Sequence, residues 1–493
     1  MKSPSIGRST VSSVDQQSIA PDEHDSRTAS ASGSSRAARN RHTSVASLNT
    51  ELRDKIAEHL TLRSLADLRA TGRLFQTTKN YARTDYVLTK RRKLWLLLKT
   101  NPNLQRLTIT DPELTDSDLQ WLQRWQFELS IGLQPDQPKN DLALTELTIR
   151  GATHITDAGL LALSTLTSPR CVRLDLRECG SITGTGLGHL ANLSGLQELH
   201  LDGQLLRGND LRHLRKMSKL TTLSLQELYA HGLMLFSNLE PLTSLRRLEI
   251  NFSLQKGSLA EADTGRFESL NNLKALEELQ YSANNIEEDG EWVSDDDIMH
   301  IGNSSGLTKL MISVCGTDAS ALEHLGRLTN LRHLQLIEVD SPPTELQWEW
   351  LRRLPKLESF KLDHCIVDDS TLSPLAAMTT LKTVMVNDQL YFPESLFENL
   401  PLSLESLDIG ESQITPDALR LLQRFPALSS LKMDACFADH MAEEKCDDAV
   451  LEPLSDMPQI KTIDISHCGF SDDAIAKLRA VPGRTIITDT PEI

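Results

Sequence analysis

A six-residue apolar signature, L-x-x-L-x-L, recurs along most of the chain, with Ile, Val, Phe, Met, Tyr or Cys at times replacing Leu. It starts at Leu104, Leu144, Cys171, Leu196, Leu220, Leu245, Leu276, Leu307, Leu331, Leu357, Leu381, Leu404, Leu428 and Ile460. After a first interval of 40 residues, the spacing stays between 23 and 32. Within Leu196-Gln197-Glu198-Leu199-His200-Leu201, the period-2 pair Leu199 and Leu201 points one way while Glu198 and His200 point the other, which predicts a strand. A polar turn follows each signature, then a helical pattern such as Asp157-Ala158-Gly159-Leu160-Leu161-Ala162-Leu163, in which Leu160 and Leu163 share one face. One such unit cannot bury its apolar face alone, but stacked copies bury a continuous core.

The period resembles that of the leucine-rich repeat, about 20–29 residues. The resemblance implies an α/β solenoid over 101–493, a horseshoe with a parallel sheet on its concave face. Cys179, Cys315, Cys365, Cys436 and Cys468 each sit three residues past the last apolar strand position, where a small, weakly polar side chain fits a narrowing core. Cysteine at that corner resembles the cysteine-containing repeat class common in F-box proteins. The residues between the inward apolars predict one partner-binding surface. They are Arg173, Asp175, Glu198, His200, Arg247, Glu249, Lys309, Met311, His333, Gln335, Lys361, Lys382, Met385, Lys432 and Asp464. Mixed charge with exposed Met suits a protein partner and suits a phosphate backbone poorly. Insertions carrying Trp292, Trp348 and Trp350 offer an alternative docking surface. Glu287–Glu291 and Asp295–Asp297 lack the ligand spacing of a calcium loop and read as a solvated acidic loop.

Residues 1–44 are rich in Ser, Thr, Arg, Ala and Gln, and their composition predicts a disordered tail. In 45–82, Leu52, Ile56 and Leu60 form an i, i+4, i+8 stripe, with Asn49 or Thr50 as N-cap. Leu48-Asn49-Thr50-Glu51-Leu52, then Ile56 and Leu60, resembles the opening of an F-box, and Arg73-Leu74-Phe75 matches its closing basic-x-aromatic element. Asn49 stands where the family has Pro, and Gly72 where it usually has Cys. The resemblance implies that Leu48, Glu51, Leu52, Ile56, Leu60, Leu65, Leu68 and Phe75 hold a Skp-type adaptor. The other reading of this helical unit is a cap for the solenoid. Segment 83–100 reads as a helical linker whose basic residues, among them Lys90, Arg91, Arg92 and Lys93, form a solvated face near Tyr86 and Trp95.

The formal net charge of −17 argues against nucleic-acid or anionic-lipid partners. Apolar runs are too short for a membrane span, and the first residues lack the apolar core of a secretory leader. Seven cysteines without C-x-x-C pairs point to reduced thiols rather than a disulfide framework. No metal, cofactor or catalytic residue is predicted. Cys436, His440, Cys446, His467 and Cys468 leave too few free ligands for a zinc site once the repeat claims Cys436 and Cys468. Cys446-Asp447-Asp448 fits the short C-x-D pattern of bacterial repeat-bearing ubiquitin ligases, but it lies in a repeat insertion, and the chain ends at the last repeat with no room for a catalytic domain.

An F-box followed by leucine-rich repeats resembles the substrate adaptors of Skp–cullin ubiquitin ligases. The Ser-rich start and the repeat sequences are similar to the GALA-type effectors of plant-pathogenic bacteria. That resemblance implies an unknown protein substrate, no enzymatic activity, and delivery by type III secretion into the cytoplasm or nucleus of a host cell. The alternatives are a cytoplasmic eukaryotic protein, and a repeat scaffold or inhibitor that recruits no ligase.

Overall fold

Parallel strands carry the described part of the chain from one repeat to the next. In order they are β1 (Asp85–Leu88), β2 (Arg106–Ile109), β3 (Glu146–Ile149), β4 (Arg173–Leu176), β5 (Glu198–Asp202), β6 (Thr222–Leu228), β7 (Arg247–Ser253) and β8 (Glu278–Asn284). They continue as β9 (Lys309–Ser313), β10 (His333–Ile337), β11 (Ser359–Asp363), β12 (Thr383–Val386), β13 (Ser406–Asp408), β14 (Ser430–Lys432), β15 (Thr462–Asp464) and β16 (Thr485–Ile487). All sixteen form one sheet in sequence order. The computed structural model describes residues 85–90, 94, 97, 104–130, 144–166, 171–206, 210–228, 235–253, 266–284, 293–315, 317–339, 348–365, 367, 372–388, 394–436 and 448–489. These belong to the unit Ile56–Ile493. The tail 1–44 and the F-box-like residues Leu48, Glu51, Leu52, Ile56, Leu60, Leu65, Leu68 and Phe75 lie outside them.

The α/β leucine-rich-repeat solenoid read from the sequence is the observed architecture. Each of the fourteen signatures supplies one strand, β2 to β15, and its three apolar positions fill one layer of the core. In β5 these are Leu196, Leu199 and Leu201, each 1% exposed or less. Leu199 stands in register between Leu174 and Leu223. On the back of the sheet, Asp157–Leu166 is a helix with Leu160 and Leu163 buried, as its pattern predicts. Other repeats close instead with a 3-10 turn such as Asp210–Lys216.

Three expectations are corrected. Asp85–Leu88, read as part of a helical linker, is the first strand and pairs in register with Arg106–Ile109. Tyr86, beside the proposed basic face, is half-buried on that same strand. Asp295–Asp297 do not form a loop; they open the helix Asp295–Gly302, where Ser294 and Asp297 make a reciprocal capping box. Asp297 is fully buried and also accepts from the Phe267 N–H at 3.1 Å. Acidic groups in a first helical turn answer its unpaired N–H groups and positive end. Trp348 and Trp350, each 1% exposed, stack in the core with ring centroids 6.0 Å apart and offer no docking surface.

Candidate partner-binding face

Strand alternation leaves every second side chain on the face of the sheet opposite the core. Each repeat presents three such positions: the residue before the central leucine, the residue after it, and one two residues further on. The first row carries Arg173, Glu198, Arg247, Lys309 and His333, and the second carries Asp175, His200, Glu249, Met311, Gln335, Lys361, Met385, Lys432 and Asp464. Register places Arg173 beside Glu198 and Asp175 beside His200. It also lines up Met311, Gln335, Lys361 and Met385 across β9 to β12.

Lys382 does not belong to this set. It precedes β12, whose first outward residue is Thr383, in register with Ser359 and Ser406. Its ammonium pairs with Glu405 at 2.8 Å, one position outside the strands.

The third row was missed, because the sequence reading stopped at the last apolar residue of each signature. Carrying the period-2 alternation one step further finds Arg150, Arg177 and Asp202. These residues decide the electrostatics of the N-terminal half. Asp175 is only 1% exposed. Its Oδ2 accepts from Arg150 at 2.9 Å and from Arg177 at 2.8 Å, and its Oδ1 accepts from Arg177 Nε at 3.0 Å. Burial alone would raise this carboxyl, but the bonds from Arg177 and Arg150 prevail and hold it well below the usual carboxylate range. Burial pushes Asp202 up, although the Glu178 N–H donates to its Oδ2 at 2.5 Å. Burial likewise lowers His200, with Asp175 opposing the shift.

Further pairs link neighbouring strands, as Arg173 does with Glu198 at 3.4 Å and Arg247 with Glu278 at 2.7 Å. Toward the C-terminus, Lys432 bridges Asp408 and Asp434 at 3.5 and 3.0 Å. Exposed pairs of this kind add little stability; they set a charge pattern.

Asp175, His200 and Ser224 lie on adjacent strands in one row, the residue types of a nucleophilic triad. Their geometry refuses that role. Neither His200 nitrogen has a protein hydrogen-bond partner, and Ser224 is fully buried and accepts from Gln226 at 3.0 Å. Among the described residues, no group of three His, Cys, Asp or Glu is arranged to hold a metal. A hollow of about 200 Å³ between β1 and β3, lined by Tyr86, Val87, Arg106 and Thr148 among others, falls below the roughly 300–1,000 Å³ of small-molecule sites. No described helix is long and apolar enough to cross a membrane.

The six described cysteines are all buried free thiols, and burial pushes Cys171, Cys179, Cys365 and Cys436 up to about 12. None of the six has the exposure of a nucleophile, and these four lack its lowered pKa. Cys446 lies outside the described residues, while Asp448 of the same C-x-D pattern accepts from the Ser471 backbone at 3.0 Å.

No family model matches the chain, and no curated protein matches it. Solved structures do. An internalin of Listeria monocytogenes is similar at 19% identity over 75% of this chain and 95% of that one, with a TM-score of 0.45. The Rad7–Elc1 complex of yeast is similar at 20% identity over 76% and 88%, with a TM-score of 0.44. A leucine-rich-repeat protein of Leptospira interrogans is similar at 15% identity over 86% and 97%, with a TM-score of 0.42.

Proposed function

We propose that the chain is a substrate-selecting adaptor: its repeats grip a target protein, and its F-box-like segment links that target to a Skp–cullin ubiquitin ligase. The observation that carries the gripping role is the sheet face itself. Across β3 to β15 it presents cations, anions, Met and His in register, a surface that needs a partner of matching pattern rather than a substrate in a cleft. The ligase link rests on the sequence pattern Leu48, Glu51, Leu52, Ile56 and Leu60. The Ser-rich first 44 residues support delivery by a bacterial secretion system into a host cell, where such an adaptor redirects the host's own ligase. A plain scaffold or inhibitor is the second reading, favoured by Asn49 and Gly72 at F-box positions that usually hold Pro and Cys.

The deciding experiment mixes the purified full chain with a Skp-type adaptor and compares it with Leu48→Ala/Leu52→Ala. Truncating buried apolar anchors costs about 2 kcal/mol or more, so the variant should lose the adaptor while its circular dichroism stays unchanged. Retention by neither protein overturns the ligase link and leaves the scaffold, while equal retention by both refutes Leu48 and Leu52 as the anchors.

A further inference from the structure

We propose that Arg150, Arg177 and His200, on the outward face of β3 to β5, form a receptor for one carboxylate of the partner protein, an Asp or Glu side chain or a free C-terminus. This deepens the reading of the sheet as a gripping surface and rests on it.

The buried Asp175 organises the spot. With Arg150 and Arg177 bonded to it, both of its oxygens are occupied and the trio keeps one net positive charge. Two guanidinium groups carry more N–H donors than one carboxylate can receive. One surplus donor, Arg150 Nε, is buried with no protein acceptor. His200, in register with Asp175, is 8% exposed, and no protein group bonds either ring nitrogen. Its other neighbour, Ser224, is engaged with Gln226. Leaving such groups unmet is costly, and buried polar groups in native proteins are nearly always partnered. The guanidinium atoms left over can only donate, and a neutral imidazole always keeps one donor. The group that completes the set is therefore an acceptor, and the net charge of the trio asks for an anion.

Charge magnitude separates the anions. The acids facing this spot are Asp202 on β5 and Glu249 on β7, and both act on Arg177. They temper the positive field, so a single negative charge is accommodated while a phosphate near −2 meets repulsion. An ammonium or guanidinium from the partner would bring donors to donors. A carboxylate matches the planar fork of arginine as well.

The groups acting on His200 are Arg173 and Asp175 from β4, Arg177 just beyond it, and Glu249 from β7, with the non-titrating Ser224 beside it on β6. A bound carboxylate favours the protonated ring, so binding should take up a proton and tighten as pH falls toward and below 6.5.

The test selects short random peptides on the full-length protein, then resynthesises the winners with each Asp or Glu changed to Asn or Gln and with amidated C-termini. The expected result is one acidic position whose neutralisation weakens binding tenfold or more. His200→Leu and Arg150→Gln should each lose that preference. His200→Leu should also lose the tightening at low pH, while Lys461→Ala on β15's outer flank changes neither. Arg150→Gln leaves Asp175 paired with Arg177, and thermal unfolding checks that both variants are folded. Peptides without an acidic requirement, a requirement undiminished in both variants, binding only of phosphorylated peptides, or no peptide binding each overturns the proposal. Failure here with the Skp-type adaptor still held sinks this spot alone; an acidic preference without adaptor binding sinks the ligase link alone.

Discussion

The thiol of Cys436 lies 3.0 Å from the carbonyl oxygen of Ile409, one repeat back, and donates to it. Cys468 stands in the same relation to Met433 at 3.0 Å, Cys179 to Ile149 at 3.4 Å and Cys365 to Leu336 at 3.7 Å. The acceptor is each time the last inward residue of the preceding strand. Glu178, His364, Ala435 and His467, the residues just before these cysteines, all have positive φ between 51° and 64°. The chain thus makes a left-handed turn, and the corner thiol satisfies the carbonyl that the turn leaves behind.

Cys436→Ala should therefore lower unfolding free energy by about 1–2 kcal/mol, through a lost hydrogen bond and a small cavity. Urea denaturation measures it. In the native protein at pH near 8 the six described thiols should resist a disulfide-exchange reagent and react only on unfolding, since all six are buried. Rapid native labelling of Cys436 would contradict the role given to it.

Inward and outward positions of neighbouring strands should differ sharply. Leu362 is fully buried and sits in register between Leu336 and Val386, so Leu362→Ala should cost about 2–5 kcal/mol. Gln335→Ala, on the outward row, should stay within about 0.5 kcal/mol of wild type. Hydrogen exchange should place the damage of Leu362→Ala in the adjoining repeats, because each layer touches only its neighbours.

The layered core was legible because one residue type at fixed spacing fills every layer. The two end strands were not. In β1 the opening apolar position of the signature falls on Arg83. In β16 the opening and closing positions fall on Gly483 and Thr488. Within the described sheet each of these strands pairs on one side only, and its layer does not fill all three positions with apolar residues. The outward face was legible as a stripe but not as chemistry. Asp175 and His200 looked like solvent-facing polar residues, yet both are buried, and Asp175 is bonded by Arg150 of the preceding repeat and Arg177 of its own. The left-handed corners were also invisible, being held in part by acids of the next repeat, as Asp202 holds the Glu178 N–H and Asp489 accepts from the His467 N–H at 2.9 Å.

A second inter-repeat ladder runs behind the sheet. Asp157 accepts from the backbone N–H of Thr183 at 2.9 Å and from its hydroxyl at 2.5 Å. Asp116 holds Thr156 likewise at 2.8 and 2.6 Å. A Cβ on Gly186 would meet Asp157 Oδ1 at 2.4 Å and Leu160 Cδ1 at 2.8 Å. Asp157→Ala and Gly186→Ala should each destabilise by about 1–3 kcal/mol. The double variant should cost less than their sum, since Asp157→Ala removes one of the two clashes. Strict additivity in urea titrations would mean that Gly186 and Asp157 do not share the space.

The last expectation concerns acid. Burial lowers His200 below its ordinary 6.5 in the folded chain, while the unfolded chain keeps about 6.5. Above that pH the ring is neutral in both states and contributes no slope. As pH falls through about 6.5, the unfolded chain binds the proton first, so the folded state loses stability by up to about 1.4 kcal/mol per pH unit until the folded ring also titrates. His213 is lowered as well, but it is common to wild type and variant and drops out of their difference. His200→Leu should therefore gain on wild type as pH falls from about 7 to 5.5, with the gap flat above about 7. An acidic peptide bound beside the ring favours its charged form and should shrink this difference. Parallel pH profiles for the two proteins would mean that His200 is solvated and titrates alike folded and unfolded, and the case for a desolvated imidazole on the sheet face would fall with it.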